Sequence, residues 1–313
     1  MLEVNNLTVG IKKEELLKAV NNISFKIEEG EIIGLAGESG SGKSMTAHAI
    51  TNMLPSSFQI LGGEIIYNGQ SLTDMDEKEL CRIRGKEIGM IFQEVRQSLN
   101  PLMRIGNQIT EMLNNGKWTG RQKYKEQVLE MLVTLGFDEP KKVFDAFPHQ
   151  LSGGMCQRVM TAIAAVCRPK LLLADEPSSA LDEESQGRIL SLLLEMNRKY
   201  KTSILIISHD LSIIRQFCSR FLVMYAGKII EEGPAQMLFS PLHPYTKALV
   251  AAIPGKEKKG LKLENIPGKA PSIEDNFSGC PFAPRCGKSK PICKETFPPA
   301  VNTDNRRVYC YGE

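Results

Sequence analysis

Gly37-Glu38-Ser39-Gly40-Ser41-Gly42-Lys43-Ser44 reads G-x-x-x-x-G-K-S, the pattern of a phosphate-binding loop. Ahead of it runs Glu31-Ile32-Ile33-Gly34-Leu35-Ala36, a short apolar segment of strand type. Behind it runs Met45 to Leu54, a helical segment closed by Pro55. Strand, glycine loop and helix is the setting the pattern needs. Glycines let the backbone wrap tightly, so successive N–H groups converge on phosphate oxygens. The start of the helix adds partial positive charge. Lys43 has the reach for the outer phosphates of a bound nucleotide, and Ser44 has the hydroxyl to ligate Mg²⁺. A glycine-rich turn with a chance lysine would not match every specified position in this order.

Composition sets the frame around that loop. At 313 residues the chain suits one large domain or two smaller ones, and 42% apolar residues allow a substantial core. Lysine and arginine total 39 against 36 acids, a net charge of +3, which implies no large nucleic-acid footprint. No apolar run approaches the ~20 residues of a membrane-spanning helix. Met1 to Asn6 lacks the basic start and apolar core of a signal peptide, so the expected compartment is the cytosol, where thiols stay reduced.

Working outward, Leu2, Val4 and Leu7 fit a strand, with a charged loop expected at residues 12–15. Ile23, Phe25 and Ile27 alternate in a half-buried strand from Val20. Glu64-Ile65-Ile66-Tyr67 runs into an Asn68-Gly69 hairpin turn. These segments predict a small antiparallel sheet beside the loop. Ile88 to Phe92 is a short apolar run that ends on Gln93. From there to Leu151 the pattern turns helical, with Val128, Met131, Leu132 and Leu135 on one face and Gly136 as the cap. Leu171-Leu172-Leu173-Ala174 leads into Asp175-Glu176, and Ile204-Leu205-Ile206-Ile207 leads into Ser208-His209-Asp210. Both read as buried parallel strands with polar C-terminal ends, where such sheets carry function. Ile189, Leu192, Leu193, Met196 and Tyr200 mark an amphipathic helix, and Phe221 to Glu232 reads as a hairpin turning at Gly227. After Gly233 proline and glycine rise, and a charge run at Lys256-Glu257-Lys258-Lys259 reads as a solvated linker.

Two carboxylates at a strand end are more often a solvated turn. Downstream of a phosphate loop they suit ATP chemistry, Asp175 in the Mg²⁺ shell and Glu176 on the attacking water. Leu151-Ser152-Gly153-Gly154 before a helix makes a second anion cradle, weak evidence alone because paired glycines often mark a turn. The ordered set of phosphate loop, Gln93, Ser152-Gly153-Gly154, Asp175-Glu176, Ser179-Ala180-Leu181-Asp182 and His209 resembles an ABC-type ATPase. The resemblance implies an α/β P-loop NTPase core with an antiparallel β subdomain and a helical insertion at about residues 95–160. It places ATP and Mg²⁺ on residues 37–44, with Ser44 and Gln93 at the metal. Lys43, Gln93, Glu176 and His209 become the catalytic set, His209 as the γ-phosphate switch. Ser152, Gly153 and Gly154 become the signature that meets ATP on an opposite subunit, and Asp182 belongs to the loop that crosses the dimer interface. Residues 9–20 hold no aromatic for stacking adenine, which leaves aliphatic groups such as Leu17 or Val20.

Phe147-Pro148-His149-Gln150-Leu151-Ser152-Gly153-Gly154-Met155 and Ser98-Leu99-Asn100-Pro101 are similar to stretches of the dipeptide/oligopeptide-type importers. So are Pro241-Leu242-His243-Pro244-Tyr245, Ile266-Pro267-Gly268, Gly279-Cys280-Pro281-Phe282 and Arg285-Cys286. Cys156 and Val95-Arg96 depart from the usual pattern of that family. Of eight cysteines, Cys81, Cys156, Cys167 and Cys218 are scattered and expected to be buried or partly buried. Cys280, Cys286, Cys293 and Cys310 crowd the last 34 residues with spacing C-x5-C-x6-C-x16-C. That spacing matches neither a zinc ribbon nor a ferredoxin. A proline-rich segment with so little apolar periodicity needs a staple, and reduced thiols point to a metal. The importer family associates such tails with a [4Fe-4S] cluster, preferred here over zinc. The cysteines lie beyond a linker and outside every ATPase motif, so the cluster is expected to sit apart from the phosphate loop.

The expectation is therefore an ATPase domain at 1–235 and a small metal-stapled C-terminal region at 236–313. The implied function is ATP hydrolysis that powers an importer of di- or oligopeptides; close relatives also carry nickel or metal chelates. The implied partners are a second ATP-binding subunit, two integral-membrane permeases and, indirectly, an extracytoplasmic solute-binding protein, with no nucleic acid. The implied location is the cytoplasmic face of the membrane, peripherally bound. A soluble ABC ATPase of DNA repair or translation is the competing class, but it commonly carries two cassettes or a long coiled coil.

Overall fold

The structure is a computed structural model that describes residues 1–13, 16–114, 121–179, 181–253 and 266–312. The Lys256–Lys259 charge run, Ala180 and part of the expected 12–15 loop lie outside the described residues. The chain divides into two compact units, one of Met1–Ile27, Ile32–Met75 and Ile207–Glu313, the other of Glu28–Glu31 and Asp76–Ile206.

In chain order the first elements are β1 (Leu2–Lys12), β2 (Leu16–Ile27), β3 (Ile32–Ala36), α1 (Lys43–Ile50), β4 (Gln59–Tyr67) and β5 (Gln70–Ser71). Next come α2 (Glu77–Ile83), β6 (Ile88–Ile91), α3 (Val95–Ser98), α4 (Ile105–Leu113), α5 (Arg121–Thr134), α6 (Pro140–Asp145), α7 (Gly153–Ala165) and β7 (Leu171–Asp175). After them run α8 (Glu183–Tyr200), β8 (Ser203–Ile207), α9 (Leu211–Phe217), β9 (Arg220–Tyr225) and β10 (Lys228–Pro234). The tail holds α10 (Pro244–Ala251), α11 (Ile292–Glu295), β11 (Val301–Thr303) and β12 (Arg306–Val308).

In the first unit, β2-β1-β4-β5 form the antiparallel sheet that the alternation predicts. β1 and β2 both run longer than the hydrophobic pattern marks, β1 through Lys12 where a loop was expected and β2 from Leu16. Their pairing shifts register between Val4 and Leu7 and again near Val9, and Asn6 and Asn22 adopt φ of 52° and 55°. Asparagine tolerates that conformation, so the strands bulge and continue instead of ending. Asn68 and Gly69 turn with φ of 49° and 79°, as their hairpin signature requires. The same unit carries the strand order β11-β12-β10-β9-β3, in which β9 lies parallel to β3 and antiparallel to β10.

The second unit holds β8-β7-β6, with β6 parallel to β7. Every residue of β7 and of β8 is buried, which is why both read as continuous apolar runs. α3 to α6 fill the expected helical insertion. α5 ends on Gly136 at φ 75°, whose N–H bonds the Val133 carbonyl while the Phe137 N–H bonds that of Leu132. Cys81 is exposed on α2, contrary to expectation: it lies one position past the buried Leu80, on the solvent face of that short helix. No helix among the described residues is long and apolar enough to cross a membrane.

Candidate functional site

The phosphate loop leaves β3, whose five residues are all buried. Gly37, Gly40 and Gly42 adopt φ of 151°, 79° and 103°. Gly42 is the N-cap of α1, so the first helical N–H groups, those of Lys43 and Ser44 among them, face the loop end. Lys43 is only 7% exposed. Its ammonium donates to the Gly37 carbonyl at 2.9 Å, the Glu38 carbonyl at 2.8 Å and Ser41 Oγ at 3.3 Å. The loop thus holds its own cation folded in against its own carbonyls. His209 is exposed just past β8, beside Asp210, which caps α9 by accepting the Ser212 N–H at 2.8 Å.

The second unit carries the other sequence-predicted residues. Asp175 closes β7 at 1% exposure and Glu176 follows at 8%. Glu176 has φ 49°, a left-handed conformation that costs a non-glycine residue roughly 1–3 kcal/mol and collects at functional turns. Gln157 donates to the Pro177 carbonyl at 3.0 Å and Ser179 Oγ to the Glu176 carbonyl at 3.3 Å, which fix this turn. Gln93 is exposed after β6. Ser152 caps α7, its Oγ accepting the Met155 N–H at 3.2 Å, and Gly153 and Gly154 open that helix. Asp182 caps α8, accepting the Ser185 N–H at 2.9 Å and its hydroxyl at 3.0 Å. Those hydrogen bonds hold its carboxyl below the usual range. Ser152, Ser179 and Asp182 are all exposed on the unit that carries them. Val20 is fully buried and offers no face to a base, whereas Leu17 is half-buried.

The tail belongs to the first unit and is not remote from the phosphate loop. Arg285, one residue before Cys286, forms an ion pair with Glu38, NH1 to Oε2 at 2.8 Å. The tail's packing runs through Phe282 into Tyr225 and Tyr245, at ring-centroid distances of 5.4 Å each. A buried acid secures the connection: Glu231 of β10, fully buried, accepts the N–H of Leu242 at 2.8 Å and of His243 at 3.0 Å. Burial, with Lys247 nearby, pushes the His243 imidazole down to about 3, so it stays neutral and its Nδ1 accepts the Tyr245 N–H at 3.0 Å. None of Glu231, Arg285 or Tyr225 was assigned a role from sequence; the nearest signal was the Pro241–Tyr245 and Arg285-Cys286 stretches.

Cys280, Cys286, Cys293 and Cys310 line one small pocket of about 30 Å³, walled by Phe282, Pro298 and Tyr311. Backbone N–H groups point at the sulfurs: Lys290 to Cys293 and Gly312 to Cys310, both at 3.4 Å, with Phe282 and Ala283 bonding Cys280. Among the described residues no three His, Cys, Asp or Glu side chains converge as they would around a single ion.

A glycine phosphate loop between strand and helix, a strand ending in two acids and a serine-glycine helix start define a P-loop ATPase of the ABC class. The comparisons agree. Residues 20–179 match the ABC transporter family model, and residues 230–293 match the C-terminal region of oligopeptide/dipeptide transporters. The oligopeptide transport ATP-binding protein AppD of Bacillus subtilis is 42% identical over 99% of this chain and 96% of its own length. OppD of Salmonella typhimurium is 41% identical over 99% and 93%, and the dipeptide transport protein DppD of Escherichia coli 38% over 99% and 96%. A dimeric ATP-binding cassette solved in a post-hydrolysis state with ADP and Pi superposes at a TM-score of 0.68, with 29% identity over 75% of this chain and 99% of that one. The chain belongs to the ABC transporter ATP-binding subunits, of the oligopeptide/dipeptide type.

Proposed function

We propose that this chain hydrolyses ATP to power the import of di- or oligopeptides, its ATPase domain spanning residues 1–235 and its C-terminal region 236–313. ATP lies on residues 37–44, with Lys43 on the outer phosphates and Ser44, Gln93 and Asp175 around Mg²⁺. Glu176 accepts a proton from the water that attacks the γ-phosphorus, ADP leaves, and His209 reads the γ-phosphate. Ser152, Gly153 and Gly154 serve the nucleotide of a second ATP-binding subunit, identical or paralogous, and Asp182 lies at that interface. Two permease subunits in the membrane carry the solute, handed over by an extracytoplasmic binding protein, and this chain sits on their cytoplasmic face. The observation that carries the reading is full-length similarity to peptide-transport ATP-binding proteins, tail included, with the hydrolytic residues intact.

The four-cysteine cavity is assigned to a [4Fe-4S] cluster. Four thiols on one pocket, three of them accepting backbone N–H groups, are the donor set such clusters take. When bound, the cluster supplies iron–thiolate cross-links that staple four segments of the tail.

Glu176→Gln tests the ATPase assignment. The variant keeps ATP binding and loses nearly all turnover, because Asp175 still holds the metal while the proton acceptor is gone. Turnover close to that of the parent would reject Glu176 in this role.

A further inference from the structure

Glu38, the second residue of the phosphate loop, is held from both ends by the tail. Its carboxylate takes a two-pronged contact from Arg285, NH1 to Oε2 at 2.8 Å and NH2 to Oε1 at 3.3 Å. Its N–H donates to the Tyr245 hydroxyl at 2.8 Å. Its carbonyl in turn accepts the Lys43 ammonium at 2.8 Å and the Ser41 N–H at 3.2 Å. The orientation of this one residue therefore sets one of the carbonyls on which the loop lysine rests.

Arg285 is built for the task. Its side chain is 6% exposed, and the rest of its fork is committed: Nε to the Pro267 carbonyl at 2.7 Å, NH1 to Tyr225 Oη at 3.1 Å, NH2 to the Ile266 carbonyl at 3.3 Å. Tyr225 ends β9, the parallel neighbour of β3 from which the loop springs. A planar guanidinium held this way can meet a carboxylate in only one orientation. There is also a charge reason. The loop's task is to receive a polyanion, yet Glu38 puts a carboxylate within it; a fixed cation beside that carboxylate cancels the repulsion.

We propose that Arg285 is a positioning residue of the nucleotide site, supplied by the cysteine-rich tail, which neutralises and orients Glu38 so that the phosphate loop is preformed for ATP. Tyr245 fixes the backbone of the same residue. The inference rests on the reading of residues 37–44 as the ATP site. It differs from that reading in placing a determinant of ATP affinity some 240 residues downstream of the loop.

The test is equilibrium titration of the full-length chain with Mg-ATP, plus steady-state hydrolysis. Arg285→Ala should weaken ATP at least tenfold and raise KM while kcat changes less than threefold, since the lost element is preorganisation and not a group on the reacting atoms. Adding Glu38→Gln to that variant should recover most of the affinity, and Arg285→Lys should recover part. A defect of mere tail packing would not be repaired by removing a loop carboxylate. Affinity of Arg285→Ala within twofold of the parent, or no recovery in the double variant, overturns the proposal. If Arg285→Ala does not fold, Tyr245→Phe decides: a threefold or larger loss of ATP affinity is expected, and parental affinity overturns it. Lys43→Ala is the control for the underlying reading. If the parent fails to bind ATP, or Lys43→Ala binds as well as the parent, the ATP site itself is misassigned and not only its support from the tail.

Discussion

Gly42→Ala puts the shape of the phosphate loop to a quantitative test. Gly42 has φ 103°, and a Cβ built there would fall well inside 3.0 Å of the Ala19 carbonyl oxygen of β2, with Met224 Cε at 2.8 Å. The methionine end can swing away; the β2 carbonyl is backbone, held in a sheet, and cannot. An alanine in left-handed backbone costs about 1–2 kcal/mol, and forced overpacking about 1–3 kcal/mol. Together these make roughly 2–5 kcal/mol that must appear somewhere. If the free loop relaxes into another shape, ATP must restore the strained one, and the dissociation constant rises between about 30-fold and a few thousand-fold at about 1.4 kcal/mol per decade. If the free loop keeps its shape, the same energy appears as lost stability. The assay is therefore paired: ATP affinity by titration and unfolding free energy by denaturant, on parent and variant. The sum of the two losses should reach at least about 2 kcal/mol. A variant with parental stability and affinity within threefold would refute the argument that this backbone admits only glycine.

Three further outcomes are expected. Ser152→Arg should abolish hydrolysis in the assembled transporter while the isolated chain keeps its nucleotide affinity; loss of affinity in the isolated chain would refute the assignment of Ser152 to the partner's nucleotide. The His243 imidazole titrates at about 3 in the folded chain against 6.5 in the unfolded one, so the unfolded state binds the extra proton and stability falls as pH drops below about 6.5. By about pH 5 the loss is on the order of 2 kcal/mol, and His243→Asn, which can still cap α10, should flatten that slope in urea unfolding at the two pH values; an unchanged slope would exclude His243 as its source. Anaerobically purified protein should be brown with about four iron per chain, lost together on Cys280→Ser; colourless protein with one zinc would reject the cluster.

Local chemistry was legible in the sequence and long-range chemistry was not. The phosphate loop, the two buried strands with acidic or polar ends, the Ser152 cap and the Asn68-Gly69 turn each depend on residues within one or two turns of chain, so pattern alone places them. The Arg285–Glu38 pair joins residues 247 positions apart, and nothing periodic announces it. The β11–β12 hairpin did leave a trace: Asp304-Asn305, at φ of 47° and 59°, is a turn of the kind Asn-Gly signals, flanked by Val301 and Val308. Its three-residue strands are too short for an alternation to stand out. The four clustered cysteines were recognised as a set from spacing, but their common cavity depends on how Phe282 packs, which spacing does not encode.

The pairing of β12 with β10 bears on association between copies. Glu231 and Glu232 lie opposite Val308 and Arg307, so a strand at residues 228–234 takes its outer neighbour from a hairpin far downstream in the chain. Without that hairpin these positions of β10 would present unpaired N–H and C=O groups, a template for joining another chain. The tail that brings Arg285 to Glu38 therefore also shields part of a strand edge that would otherwise be open to a second copy.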